Sequence, residues 1–215
     1  MSAEPGAEPG EIAEELNALL RNAGQMELAA QTAARFQSYC SLLLRWNTRI
    51  NLTAIRDREG ILRRHFLESI VCARAIPEAV RTLLDLGSGA GFPGIPIALC
   101  RPEIAVTLAE SQGKKSAFLR EAARETGLSF QVHDGRAETL DRRFDCVTLR
   151  AVDRMSGAMR VAAALVGAGG WLALLTTGAE AENLRQVAGA GFAWSPPMPL
   201  PGATDRILLL GQRDS

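Results

Sequence analysis

The sequence predicts an α/β fold. It should be a Rossmann-like sheet, parallel except for a C-terminal antiparallel hairpin, with a helical extension before the first strand. Three observations predict it. From Arg81 onward, short apolar runs alternate with amphipathic helical patterns, as in a parallel sheet covered on both faces. Residues 192–200 and 206–211 are then two runs separated only by a proline-containing loop, too short for a crossover helix, so this pair must be antiparallel. Finally, the apolar run Leu83-Leu84-Asp85-Leu86 passes directly into Gly87-Ser88-Gly89-Ala90-Gly91-Phe92-Pro93-Gly94. A strand, a glycine turn and a helix start in that order are the setting in which such glycines bind a ligand.

Along the chain, Ala3-Glu4-Pro5-Gly6 repeats as Ala7-Glu8-Pro9-Gly10, the composition of a disordered tail over residues 1–10. Ile12, Leu16, Leu19 and Leu20 mark an amphipathic helix that Gly24 can end. A second helix is predicted over 27–49 from the spacing of Leu28, Phe36, Tyr39, Leu43, Trp46 and Ile50. A third starts at Asp57, a suitable N-cap, and runs through Ile61, Leu62, Phe66, Leu67 and Ile70 until Pro77 stops it. Residues 11–80 therefore read as an N-terminal helical cap and 81–215 as the sheet domain. Strands are predicted near 82–86, 104–109, 129–133, 144–149 and 170–176, and helices near 93–100, 114–126, 154–166 and 179–189. Pro93 suits the first helical position, where its missing N–H costs nothing.

Composition narrows the class. The chain has 215 residues, of which 47% are hydrophobic and 22% charged, values ordinary for a soluble domain with a sizeable core. No apolar run approaches the length of a membrane span, and the first residues lack a basic-then-apolar signal pattern, so a cytoplasmic protein is expected. Cys40, Cys72, Cys100 and Cys146 are scattered among apolar residues, which suits buried thiols and no metal site. The net charge is zero, but its distribution is uneven. Residues 1–20 carry five glutamates and no base, whereas residues 35–74 carry eight arginines against Asp57, Glu59 and Glu68. An excess made only of arginine suits phosphate contacts better than a general solubility face.

The glycines fit two ligand classes. Gly89-x-Gly91-x-x-Gly94 matches the dinucleotide fingerprint, and Gly87-x-Gly89-x-Gly91 matches the loop of S-adenosylmethionine-dependent methyltransferases. Both classes use an acid at the end of the next strand to hold a ribose diol, and Glu110 stands there, nineteen residues after Gly91. A Walker phosphate loop is excluded, because no Gly-Lys-Ser/Thr follows. Asp85 and the antiparallel ending favour the class I methyltransferase plan. At the end of the fourth strand the chain reads Thr148-Leu149-Arg150-Ala151-Val152, with no acid or amide to serve as a base. Arg150 is the candidate there, at the carboxyl edge where open α/β sheets bind ligands. Lys114 and Lys115 open a helix, and cations there suit an anion contact. His65 reads as a satisfied polar residue on the cap helix, and His133 as core or rim.

These stretches together resemble the RsmG (GidB) family of bacterial 16S rRNA methyltransferases. The match runs from Trp46 to Arg206. It is carried by Trp46-Asn47 with Asn51-Leu52-Thr53, Arg64-His65-x-x-Glu68-Ser69, the glycine stretch continued as Gly94-Ile95-Pro96, Gly113-Lys114-Lys115, Arg136-Ala137-Glu138, and Arg150-Ala151. The resemblance implies methylation of N7 of one guanine in small-subunit rRNA, with S-adenosylmethionine as donor and no general base. It implies cofactor contacts from Gly87, Phe92, Ala137, Glu138 and Arg150, beside Gly89, Gly91 and Glu110 of the glycine turn and ribose acid. Arg56, Arg63, Arg64, His65, Lys114, Lys115 and Arg206 are the candidates for the RNA face of a protein expected to act as a monomer. Three residues depart from the family pattern: Glu68 replaces a usual Asp, Thr177 a usual Lys, and Leu149 a small hydroxyl residue. The alternatives are an NAD(P)-dependent oxidoreductase, for which no proton relay is visible, and a non-catalytic RNA-binding protein on the same fold.

Overall fold

The computed structural model describes residues 10–150 and 155–215, with only the backbone at Met155. The expected tail up to Pro9, Ala151 of the Arg150-Ala151 pair and the expected helix start at 154 lie outside the described residues.

Helices α1 (Glu11–Asn22) and α2 (Ala30–Asn47) come first. A continuous helical run follows, made of α3 (Arg58–Gly60), a π-helical stretch (Ile61–Leu67) and α4 (Glu68–Ala75). Asp57 caps that run, its carboxylate accepting the Gly60 N–H at 2.6 Å. The run ends as Ile76 turns extended ahead of Pro77. The alternating part is β1 (Thr82–Leu86), α5 (Gly94–Cys100), β2 (Ala105–Glu110), α6 (Gly113–Thr126), β3 (Gln131–Asp134), β4 (Phe144–Arg150), α7 (Met155–Leu165), β5 (Val166–Thr177) and α8 (Gly178–Ala188). Strands β6 (Phe192–Trp194), β7 (Met198–Pro199) and β8 (Arg206–Arg213) complete it.

The strand order is β3-β2-β1-β4-β5-β8-β6, with β7 also pairing β8. The first five strands are parallel and β8 runs antiparallel to both β5 and β6. β8 thus inserts between β5 and β6, placing Arg206 opposite Thr177. The central strand β1 is buried on both faces from Leu83 to Leu86, Asp85 included.

Three differences from the sequence reading concern β5, the third helix and Pro93. β5 begins at Val166, before the expected 170, although Gly167, Gly169 and Gly170 read as a loop by composition. The pairing with β4 continues there through an irregular register, and a Cβ on Gly170 would meet the Asp145 carbonyl at 3.0 Å. The third helix contains a π stretch that hydrophobic spacing does not reveal, since Ile61, Leu62, Phe66 and Leu67 are buried as an α-helix would also bury them. Pro93 sits just ahead of α5 as its cap rather than as its first residue.

A cluster of buried apolar residues fills each face of the sheet. One packs α7 and α8 against Leu84, Val147 and Leu174. The other is continuous from Ile12, Leu16, Phe36 and Phe66 in the N-terminal helices to Leu83, Ile95, Val106 and Phe118. Helices α1, α2 and α4 and the π stretch therefore complete the sheet's core as well as flanking it.

Candidate active site

The glycine turn is held from three sides. Asp85 is buried and accepts the Gly94 N–H at 3.1 Å and the Thr148 hydroxyl at 2.9 Å, joining the turn to β4. Burial pushes its pKa up to about 6, against the pull of those hydrogen bonds. Asp85 therefore anchors the turn rather than facing a ligand. Tyr39 of α2 is fully buried and donates its hydroxyl to the Ala90 carbonyl. Glu110, at the end of β2, accepts the Gly89 N–H at 2.9 Å on Oε2 and the Gln112 N–H at 2.8 Å on Oε1. Gly91 has φ +92°, and a Cβ there would collide with the Ile95 side chain and stand 2.9 Å from the Tyr39 hydroxyl. Gly89 has φ +57° and faces open space, so any side chain there would fill the approach to the turn.

That approach consists of two cavities. One, of about 400 Å³, is lined by the turn, Phe92, His65, Lys115 and Arg150. The other, of about 340 Å³, is lined by Arg136, Ala137 and Glu138 and by the Gly157–Val161 face of α7. Gly87 and Glu110 line both. Each oxygen of Glu110 has accepted one N–H and keeps capacity for another donor, so a ribose diol can be held at the junction. A ligand with a sugar at its centre, a flat base towards Ala137 and Glu138, and a tail towards Arg150 fits this shape. Lys114 is exposed beside it, and Lys115 is half-buried at its rim. His133 lies on the rim of the fold, its Nε2 within 2.9 Å of the Thr139 hydroxyl.

Arg150 ends β4 inside a buried ion network. Glu68 is 1% exposed, and its Oε2 accepts Arg150 at 3.2 Å while its Oε1 accepts Arg206 at 2.6–2.7 Å. Arg150 also donates to the Arg64 carbonyl, which the π stretch carries, and to the Ser69 hydroxyl at 3.4 Å. A third cavity, of about 240 Å³, opens beyond this network at the ends of β4, β5 and β8. His65 and Arg150 line both it and the 400 Å³ cavity. The His65 ring stacks on Phe92, with centroids 4.6 Å apart, and its Nε2 lies 2.7 Å from the Thr53 hydroxyl. Burial, then Arg150, Arg64 and Arg206, push its pKa down to about 3.

The expected RNA-facing residues are dispersed. Arg56 and Arg63 are exposed, the first donating to Asn51 at 2.8 Å and the second paired with Glu59 at 2.8 Å. Arg64 is exposed at the mouth of the third cavity. Arg206 is engaged by Glu68, with its side chain only 20% exposed. Two contributors escaped the sequence reading. Tyr39 reaches the turn from 51 residues away, which no local pattern signals. Glu68 was visible as part of a motif, but its two arginines lie 82 and 138 residues further on.

A family model described as rRNA small subunit methyltransferase G (GidB) matches residues 32–190, a span that takes in both cofactor-side cavities and Arg150. The chain belongs to this family. A ribosomal RNA small subunit methyltransferase G of Xanthomonas campestris pv. campestris strain B100 is 38% identical over 206 residues, covering 93% of this chain and 96% of its own. One from Stenotrophomonas maltophilia strain K279a is 40% identical over 181 residues, covering 82% and 84%. Among solved structures, a predicted O-methyltransferase of Agrobacterium tumefaciens superposes with a TM-score of 0.58 at 21% identity, covering 69% of this chain and 81% of its own. That likeness bears on the fold, and it agrees with the class I methyltransferase plan. Among the described residues, no helix is long and apolar enough to cross a membrane, and no group of three or more His, Cys, Asp or Glu could hold a metal.

Proposed function

We propose that the protein transfers the methyl group of S-adenosylmethionine to N7 of one guanine in 16S, small-subunit rRNA, as a cytoplasmic monomer and without a general base. Membership of the rRNA small subunit methyltransferase G family supports the reaction class and the substrate. The joined cavities support the cofactor: Glu110 would accept from its ribose, the backbone at Gly87 and Gly89 would let it approach while Gly91 packs against Ile95 and Tyr39 behind them, Ala137 and Glu138 would border its base, and Phe92 and Arg150 would bound the methionyl side. S-adenosylmethionine, when bound, supplies an electrophilic methyl carbon whose leaving thioether is neutral and needs no acid. The protein's part is then alignment of the two reactants. Arg56, Arg63, Arg64, Lys114 and Lys115 are the residues proposed to meet phosphate, Arg64 and Lys115 beside the cavities and the others dispersed over the surface.

The observation that carries the base-free reading is His65. It lines both the 400 Å³ and the 240 Å³ cavities, yet its pKa, lowered to about 3, leaves it neutral and a poor proton acceptor near neutral pH. Guanine N7 presents a lone pair and carries no proton, so such an acceptor asks for no better base. The pKa is depressed from the usual 6.5, so His65 titrates only as the pH falls towards 3. Single-turnover methylation should therefore be flat from about pH 6 to 9 in wild type and in His65→Gln, with product mapped by chain cleavage at 7-methylguanine. A tenfold rise with pH that disappears in His65→Gln would make His65 a base and sink the reading.

A further inference from the structure

The 240 Å³ cavity at the ends of β4, β5 and β8 contains a carboxylate with no assigned task. Glu180 stands in the first turn of α8, whose N-cap Thr177 accepts the Glu180 N–H at 3.3 Å. The Glu180 Oε2 accepts the hydroxyls of Thr176 at 3.0 Å and Thr177 at 3.4 Å, which aims the carboxylate back over the end of β5. Its Oε1 takes no hydrogen bond from the described residues. In the same cavity, Arg206 binds Glu68 through Nε and Nη2, leaving Nη1 without a described partner.

We propose that this cavity receives the acceptor base and that Glu180 selects guanine, its carboxylate accepting hydrogen bonds from N1–H and the N2 amino group. This deepens the reading above and rests on it. Glu68 holds Arg150 and Arg206 side by side, and Glu180 lies over the end of β5. His65 and Arg150 line both this cavity and the cofactor side, so the methyl group would enter past them. N7 must therefore lie at the β4 end of the cavity. Going round the purine from N7, O6 comes next and then N1–H and N2. That order asks for a guanidinium donor at O6 and an acceptor for the two N–H groups further round the cavity. Arg206 and Glu180 are those two groups, and adenine would meet both with the wrong polarity.

The charge balance favours the same assignment. The N7 lone pair forms the new N–C bond, the C–S electron pair leaves on sulfur, and the purine gains one positive charge. Guanidinium groups of Arg64, Arg150 and Arg206 line the cavity, so a cationic product is disfavoured there unless acid offsets them. Glu68 is already shared between two arginines, which leaves Glu180 to stabilise a charge that exists only late in the reaction.

The test compares guanine with inosine, which keeps N7, O6 and N1–H but lacks the N2 amino group. Once the methylated guanine is located, a small-subunit rRNA carrying inosine at that one position is assayed, free or in particles, whichever wild type methylates. Wild type should lose roughly tenfold or more in kcat/KM on inosine, the range of one paired base contact. Glu180→Gln should methylate guanine and inosine within about threefold of each other, with unchanged S-adenosylmethionine affinity and unfolding midpoint. Thr176→Val, which keeps the charge but removes the hydroxyl that aims it, should narrow the preference as well. Equal wild-type rates on both RNAs, or an undiminished preference in both variants, would overturn the assignment of Glu180. A wild-type enzyme that forms no 7-methylguanine at all would overturn the proposed reaction itself.

Discussion

The two halves of the site are built from different materials. On the cofactor side, carboxylates hold backbone: Asp85 and Glu110 accept N–H groups from Gly94, Gly89 and Gln112, all within 21 residues of their partners. On the acceptor side, side chains hold side chains: Glu68 clamps Arg150 and Arg206 across 82 and 138 residues. A backbone cradle tolerates few changes of shape but transfers intact wherever the local sequence is kept. A side-chain clamp depends on three elements packing correctly, and its geometry can be retuned by one substitution. The structure thus separates a backbone cradle around the glycine turn from a side-chain clamp at the ends of β4, β5 and β8.

The largest effect should come from breaking the clamp. Glu68→Ala would leave two poorly exposed guanidinium groups without their carboxylate, and the loss of one partner of a buried ion pair typically costs about 3–5 kcal/mol. Chemical denaturation should show that loss of stability. A change below about 1 kcal/mol would mean that water and the Arg64 carbonyl suffice for the two guanidinium groups and that the clamp is dispensable.

A smaller effect, confined to the other half, is expected from Glu110→Ala. Removing the acceptor of charge-assisted hydrogen bonds should weaken S-adenosylmethionine binding by roughly 1.5–3 kcal/mol by calorimetry. Affinity within twofold of wild type would show that the sugar is held elsewhere. The smallest effect, about 1 kcal/mol of stability, is expected for Tyr39→Phe, which removes only the hydroxyl that donates to Ala90. Because that hydroxyl supports the turn and not the clamp, S-adenosylmethionine affinity should fall with it while the guanine-over-inosine preference stays put. The opposite pattern would erase the division between the halves.

The same division explains what the sequence disclosed. The strand–turn–helix at Leu83 to Gly94, Glu110 at its spacing and the antiparallel ending were all legible, because each is a local or periodic signal. Most element positions followed for the same reason. Arg150 was legible as the polar end of an apolar run. Its partners were not, since nothing local records that Arg206 on β8 will face Glu68 on α4. Arg206 consequently read as a phosphate contact, whereas its described partner is a buried carboxylate. The π stretch was hidden because it buries the residues an ordinary helix would. Its sign is the Arg64 carbonyl that it presents to Arg150. The pKa of His65 was hidden for a related reason: three arginines converge on it from β4, β8 and its own helix, and only Arg64 is a sequence neighbour.

The order of elements along the chain also matters for how the protein is made. α1 to α4 leave the ribosome before any strand, yet Phe36, Tyr39 and Phe66 are buried in one continuous cluster with residues of α5, β2 and α6. A nascent chain that stops short of Phe118 holds aromatic side chains whose packing partners do not yet exist. Such a chain exposes apolar surface for as long as translation takes to deliver them, a state prone to aggregation and to capture by chaperones. Slow codons placed before β2 should therefore lower the soluble yield of this protein more than the same codons placed after α6.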